Sequence, residues 1–402
     1  MRPVVFLHAA DLHLDSPFTG LKSVPKAWTD EMRESPFKAF RNIIGTAIEQ
    51  KVDFMLLSGD LFDGENRSLR TQVKFRREME HLKAAGIPVY IIHGNHDHLG
   101  GAWIHVDFPD NVHVFSEKTE MKLFQKSDGT LVHLYGFSYP KRHVTERMID
   151  TYAKIEGADY HIGLLHGNLE GVTTHSPYAP FTLRDLTDKH FDYWALGHIH
   201  KREIISEQPL AIYPGNIQGR NRKENGEKGC YLIELNGSDW KQQFIRTSEV
   251  IWDTVTVTIS EGYTFDAILA ECKHILMKYH PFKEKYLLDL ILDGRDGHDS
   301  NILREDFLDD VLSILQEQAE DEEWNVWPYR ITFHKDTMPV VLHDTPFTSE
   351  LLSKVECFTE YDEALNPLYR HGIAKKWLDS LTEEEQGKIL KDAKRMLLQM
   401  LQ

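Results

Sequence analysis

Pro88-Val89-Tyr90-Ile91-Ile92-His93-Gly94-Asn95-His96-Asp97-His98 is the stretch around which the rest of the chain is organised. Val89–Ile92 is a short β-branched and aromatic run with the composition of a buried strand. The run stops at Gly94, and an amide, an imidazole and a carboxylate follow in consecutive positions. These side chains are expected on a loop at the carboxyl end of the strand, where open α/β sheets bind their ligands. One such loop proves little, so the reading rests on other strand-ends that deliver similar residues.

There are four. Asp11-Leu12-His13 follows the run Val4–Leu7, and Gly59-Asp60-Leu61-Phe62-Asp63 follows Phe54–Leu57. His166-Gly167-Asn168 follows His161–Leu165, and Gly197-His198-Ile199-His200 follows Tyr193–Leu196. Alternate residues of an extended segment point the same way, so Asp11 with His13, or His198 with His200, can reach one site together. Carboxylate, amide oxygen and imidazole, with no thiolate, suit divalent ions such as Mn²⁺. Glycines beside the ligands let the backbone approach closely. Any one of these segments alone reads as a strand-end turn; five together point to a two-metal site.

At 402 residues the chain is long enough for a real core, and a soft prior gives roughly two or three domains. No apolar run approaches the ~20 residues that span a bilayer. The start, Met1–Leu7, is too brief for a signal-peptide core and reads as the first strand. Cys230, Cys272 and Cys357 are far apart and lack metal-binding spacing, which fits a reduced, cytoplasmic compartment. The net charge of −17 at first argues against nucleic acid. Its distribution changes that: residues 1–250 carry 30 basic against 33 acidic side chains, residues 251–402 carry 16 against 30. The first part is nearly neutral, so polyanion binding by it stays open.

The pattern predicts an α/β sandwich of mixed sheets over residues 1–250. Gly229–Leu235 and Thr130–Phe137 are further strands, and Pro36–Gln50 and Leu69–Ala85 are helices. A small acidic α+β domain is expected over 251–335: strand Ile251–Ile259, helix Thr264–Tyr279, strand Tyr286–Leu292, helix Ile302–Gln318 and strand Trp324–Phe333. Residues 336–402 read as a helical segment, closing on a stripe through Ile389, Leu390, Ala393, Met396, Leu397, Met400 and Leu401 with a Thr382/Glu385 capping box.

The ordered set Asp-x-His, Gly-Asp-x-x-Asp, Gly-Asn-His-Asp, His-Gly and Gly-His-x-His resembles the calcineurin-like metallophosphoesterase superfamily over residues 1–235. Ala10-Asp11-Leu12-His13-Leu14-Asp15-Ser16-Pro17-Phe18 and Tyr213-Pro214-Gly215-Asn216-Ile217-Gln218-Gly219-Arg220 resemble the SbcD-type DNA repair exonucleases, the YhaO branch most closely. The resemblance implies a four-layer α/β/β/α sandwich with a C-terminal α+β cap. It implies one metal on Asp11, His13 and His200, another on Asn95, His166 and His198, and Asp60 bridging both. It further implies that two divalent ions, Mn²⁺ for preference, activate the attacking water. His96 would be the general acid and Asp63 its orienting carboxylate, although many members of the family carry histidine at the Asp63 position. DNA is the implied substrate, a coiled-coil ATPase of the SbcC type the implied partner, and a homodimer through the region of Arg67–Arg77 a further expectation. The alternative is the same chemistry on a small nucleotide or other phosphoester. A scaffold with a vestigial site is disfavoured because every ligand position is filled.

Other residues divide between function and solvent. Arg220, Arg222 and Lys223 form a basic cluster that reads equally as phosphate contacts or as an exposed hairpin. His8 and His93 are expected to be structural, and His98, His105 and His175 solvated. Arg67, Arg70, Lys74, Arg76 and Arg77 read as a solvated helix face, and Glu320–Glu323 as a solvated helix end. The terminal Met/Leu stripe could dock a partner or pack on its own domain.

Overall fold

The apolar runs of the first half become strands buried on both faces, which is why they lack polar alternation. The computed structural model describes residues 3–14, 16–18, 24–63, 68–101, 106–171, 178–259, 263–294 and 305–335, residues 21 and 104, and scattered positions from 350 to 393. In chain order the elements are β1 (Val4–Ala9), α1 (Lys26–Glu49), β2 (Phe54–Ser58), α2 (Leu69–Ala84), β3 (Val89–Ile92), β4 (Val112–Val114), β5 (Glu120–Gln125) and β6 (Leu131–Gly136). Then come β7 (Tyr160–His166), α3 (Leu183–Asp188), β8 (Tyr193–Gly197), β9 (Glu203–Glu207), β10 (Leu210–Tyr213), β11 (Gly229–Asn236) and β12 (Asp239–Arg246). Last are β13 (Val250–Ile259), α4 (Phe265–Tyr279), β14 (Lys285–Gly294), α5 (Glu305–Asp321) and β15 (Val326–Lys335).

One six-stranded sheet runs β12-β11-β1-β2-β3-β4, the other β5-β6-β7-β8-β10-β9. Both are mixed: β1, β2, β3 and β4 are parallel with β11 antiparallel to β1, and β6, β7, β8 and β10 are parallel with β5 and β9 antiparallel at the edges. Between the sheets lie Phe6, Phe54, Leu56 and Ile92 from one and Leu134, Ile162, Leu164 and Tyr193 from the other, each fully buried. Burying a side chain of this size is worth about 1.5–3 kcal/mol. The outer face of the first sheet packs Leu7, Met55, Leu57 and Ile91 on Phe40, Ile43, Phe75 and Met79 of α1 and α2. The outer face of the second packs Leu165, Trp194 and Leu196 on Leu186 of α3 and its neighbouring loops. The result is the α/β/β/α sandwich that the family resemblance implies.

β13, β14 and β15 form a separate three-stranded sheet around a core of its own, into which Trp28 and Met32 of α1 insert. That insertion explains the one large departure from the predicted helices. Pro36 reads as a helix start, yet α1 begins at Lys26 and carries Pro36 inside. The missing N–H would leave the Met32 carbonyl bare, and the Ser35 hydroxyl donates to it at 2.8 Å.

The chain divides into two compact units, Met1–His334 and Lys335–Gln402. Thr382 and Glu385, and the terminal stripe apart from Ile389, Leu390 and Ala393, lie outside the described residues, as do Arg67, His105, His175 and Cys357. No helix among the described residues is long and apolar enough to cross a membrane.

Candidate metal centre

The parallel strands end side by side, and their last residues lock the two sheets together. Ser58, closing β2, accepts from His166 Nδ1 at 2.9 Å through its carbonyl and donates its hydroxyl to the Ala195 carbonyl of β8 at 3.1 Å. The loops that follow are backbone-strained where the candidate ligands sit. Asp11, His13, Asp60 and His198 have φ of +52°, +42°, +51° and +99°, a region that non-glycine residues enter rarely and at a cost of about 1–3 kcal/mol each. Main-chain bonds hold them there: Asp11 N donates to the Gly59 carbonyl at 3.1 Å, His13 N to Asp60 at 3.0 Å and Leu14 N to Leu61 at 3.1 Å. Gly197 marks a close approach between the sheets, since a Cβ there would stand 1.9 Å from the Ser58 carbonyl oxygen. Gly197→Ala is therefore expected to cost at least about 1–3 kcal/mol through overpacking, read as a lowered Tm; an unchanged Tm would contradict this contact.

The loops bring all seven sequence-predicted ligand residues into one cluster. Asp60 stands at its middle: Oδ2 lies 3.8 Å from His13 Nε2 and 3.4 Å from His166 Nε2. On one side His13 Nε2 and His200 Nε2 are 3.1 Å apart, and Asp11 offers an oxygen within 4.8 Å of both rings. On the other, Asn95 Oδ1 lies 3.0 Å from His166 Nε2 and 3.1 Å from His198 Nδ1. The halves are tied by the His198 main-chain N–H, which donates to both Asp11 oxygens at 3.1 Å. Asp11, His13, Asp60, Asn95 and His166 are buried.

The charge pattern is that of a cation site. Burial raises the Asp11 carboxyl and lowers the His13 imidazole to about 4. For Asp60, burial is outweighed by the neighbouring His166, which holds the carboxyl well below its ordinary value. Burial likewise opposes charge on His166, yet Asp60 lifts it to about 9. His166 Nδ1–H is donated to the Ser58 carbonyl and His200 Nδ1–H to Glu224, at 2.8 Å, so both rings turn Nε2 inward. The proton that His166 Nε2 holds between Asp60 and Asn95, and the two ring nitrogens of His13 and His200 that face each other at 3.1 Å, each mark a place that a divalent cation would fill. The donors are nitrogen and oxygen only, which fits such ions.

His96 and Asp63 sit at the rim. His96 Nδ1 is 3.0 Å from Asp63 Oδ1, and the same oxygen is 3.4 Å from His13 Nδ1. Those two contacts keep the Asp63 carboxyl far below its ordinary range. His8 is buried against the Tyr193 hydroxyl at 2.8 Å and His93 against Asp97 at 2.9 Å, while His98, expected in solvent, is buried as well. Arg222 and Lys223 are exposed. Arg220 is placed differently: its guanidinium meets Glu224 at 3.1 Å and Ser16 Oγ at 2.9 Å, and only 12% of its side chain is exposed. Glu224 is the contact that sequence reading missed. Its one signal is an acid four residues beyond Arg220 in an otherwise basic run.

A family profile described as calcineurin-like phosphoesterase matches residues 4–202. An uncharacterized metallophosphoesterase of Bacillus subtilis, YhaO, is 38% identical over 99% of this chain and 98% of its own. The DNA double-strand break repair protein Mre11 of Thermoplasma acidophilum is 28% identical over 61% of this chain and 65% of its own. That of Sulfurisphaera tokodaii is 25% identical over 76% and 77%.

Proposed function

Because this chain belongs to the calcineurin-like metallophosphoesterases, and is on that ground a hydrolase of phosphoesters, we propose that it is a DNA repair exonuclease working with two Mn²⁺ ions. The observation that carries the hydrolytic part is Asp60, whose carboxylate reaches both halves of the cluster, at 3.8 Å from His13 and 3.4 Å from His166. DNA as substrate is supported by the relatives named for double-strand break repair and by the exposed Arg222 and Lys223, which would meet backbone phosphates.

Asp11, His13 and His200 would hold one ion, Asn95, His166 and His198 the other, and Asp60 both. When bound, such a pair activates water and neutralises charge building on the phosphoryl oxygens. His96 keeps its proton for the leaving oxygen: Nδ1 is fixed by Asp63, which leaves Nε2 as the atom that donates. Asp63 stays ionised throughout and supports the imidazolium. Residues 1–250 would be the nuclease domain, 251–335 a cap that restricts the approach of substrate, and 336–402 a docking segment for an SbcC-type coiled-coil ATPase. A homodimer and a cytoplasmic setting complete this reading.

The excess acid in residues 251–402, 30 against 16 basic side chains, favours a second reading, in which the target is a small phosphoester. Linear duplex DNA and bis-(p-nitrophenyl) phosphate, each with Mn²⁺, separate the two. The first reading expects both to be cleaved. Turnover of the dye ester with intact DNA, even beside the ATPase, would select the second.

A further inference from the structure

Glu224 is a carboxylate with no place in the ligand set, yet it is buried against it. Only 9% of its side chain is exposed, and Oε1 lies 2.8 Å from His200 Nδ1. The remaining lone pairs are all used: Oε1 meets the Arg220 guanidinium at 3.1 Å, and Oε2 accepts from Asn216 Nδ2 at 2.9 Å and Arg220 N at 2.8 Å. Arg220 is itself anchored on the Ser16 hydroxyl, close behind His13 in the chain. Lys228 Nζ donates to the His200 carbonyl at 3.1 Å, so ring and backbone are both clamped.

A buried carboxylate is costly unless paired and hydrogen-bonded, and this one is held in place on every side. Its effect on His200 is specific. Accepting Nδ1–H fixes the tautomer and the ring plane, leaves Nε2 bare toward Asp11 and His13, and raises the basicity of that nitrogen. The other half of the cluster is built differently, since His166 is oriented by the neutral Ser58 carbonyl.

We propose that Glu224 is the positioning residue for the ion on Asp11, His13 and His200, and that Arg220 serves as its counter-charge rather than as a phosphate contact. The inference rests on the dimetal reading and assigns unequal support to the two ions. Its test is titration of the full-length, metal-stripped protein with Mn²⁺ by calorimetry. Wild type should bind two ions. Glu224→Ala should weaken one of them by about 10- to 100-fold and leave the other unchanged. Glu224→Gln keeps an oxygen for Nδ1–H and should lose less; it decides the matter alone if the alanine variant does not fold. Arg220→Gln should show the same one-ion loss.

Two ions at wild-type affinity in the Glu224 variants would overturn the proposal. So would equal weakening of both ions, the mark of a merely structural role. Wild-type ion affinities with a raised KM in Arg220→Gln would return that arginine to the substrate. A wild-type protein binding no Mn²⁺ would remove the dimetal reading, and this inference with it.

Discussion

Replacing His96 by alanine is expected to lower kcat on DNA by about 10²- to 10⁴-fold, the range that positioned proton transfer contributes, with both ions retained. The side chain is rim-placed, and it is the main-chain N–H of His96, donating to Asp60 Oδ1 at 2.9 Å, that touches the centre. Alanine keeps that bond. The dye ester, whose leaving group departs without a proton, should lose far less. The pH profile gives a second readout. Burial pulls the His96 imidazole down, but the Asp63 hydrogen bond and the Asp60 charge outweigh it and raise the ring above its ordinary value. A raised acid stays protonated to higher pH, so kcat should fall only as pH climbs through that raised value. In Asp63→Asn the fall should move to lower pH. An unchanged kcat in His96→Ala, or an alkaline limb that ignores Asp63→Asn, would remove the assigned roles.

Asp60→Asn carries the largest expected effect. Asparagine tolerates the +51° φ at this position, and its carbonyl can still accept from His96 N, so the fold should survive. What is lost is the charge that both halves share. Both ions should be weakened well beyond the about 10- to 100-fold typical of losing a partner outside the ligand set, and hydrolysis should fall with them. Metal content after gel filtration checks this. A variant that keeps one ion at wild-type affinity would confine Asp60 to the other half.

Much of this centre could be read from the sequence because most of the candidate ligands follow strands that are apolar throughout. The runs Phe54–Leu57, Val89–Ile92 and Tyr193–Leu196 are buried on both faces, and Val4–Leu7 nearly so, so composition alone located them. β4, β5, β9 and β12 escaped notice for the opposite reason. They lie at or near sheet edges and carry polar runs such as Glu203-Ile204-Ile205-Ser206-Glu207. β10 is buried but only four residues long. The first turns of α1 were missed because Pro36 looks like a start, whereas Trp28 and Met32 belong to a core formed by strands more than two hundred residues away. Glu224 was hidden among basic neighbours, since nothing local says that its partner is His200. Periodicity reports what a segment buries; it does not report which distant ring a carboxylate will meet.

Anomalous diffraction from crystals grown with Mn²⁺ tests the centre most directly. The account predicts two peaks about 3.5–4 Å apart, both within bonding distance of the Asp60 carboxylate, one beside His13 and His200 and the other beside Asn95, His166 and His198. A single peak, or a pair with Asp60 bound to neither or only one, would contradict it.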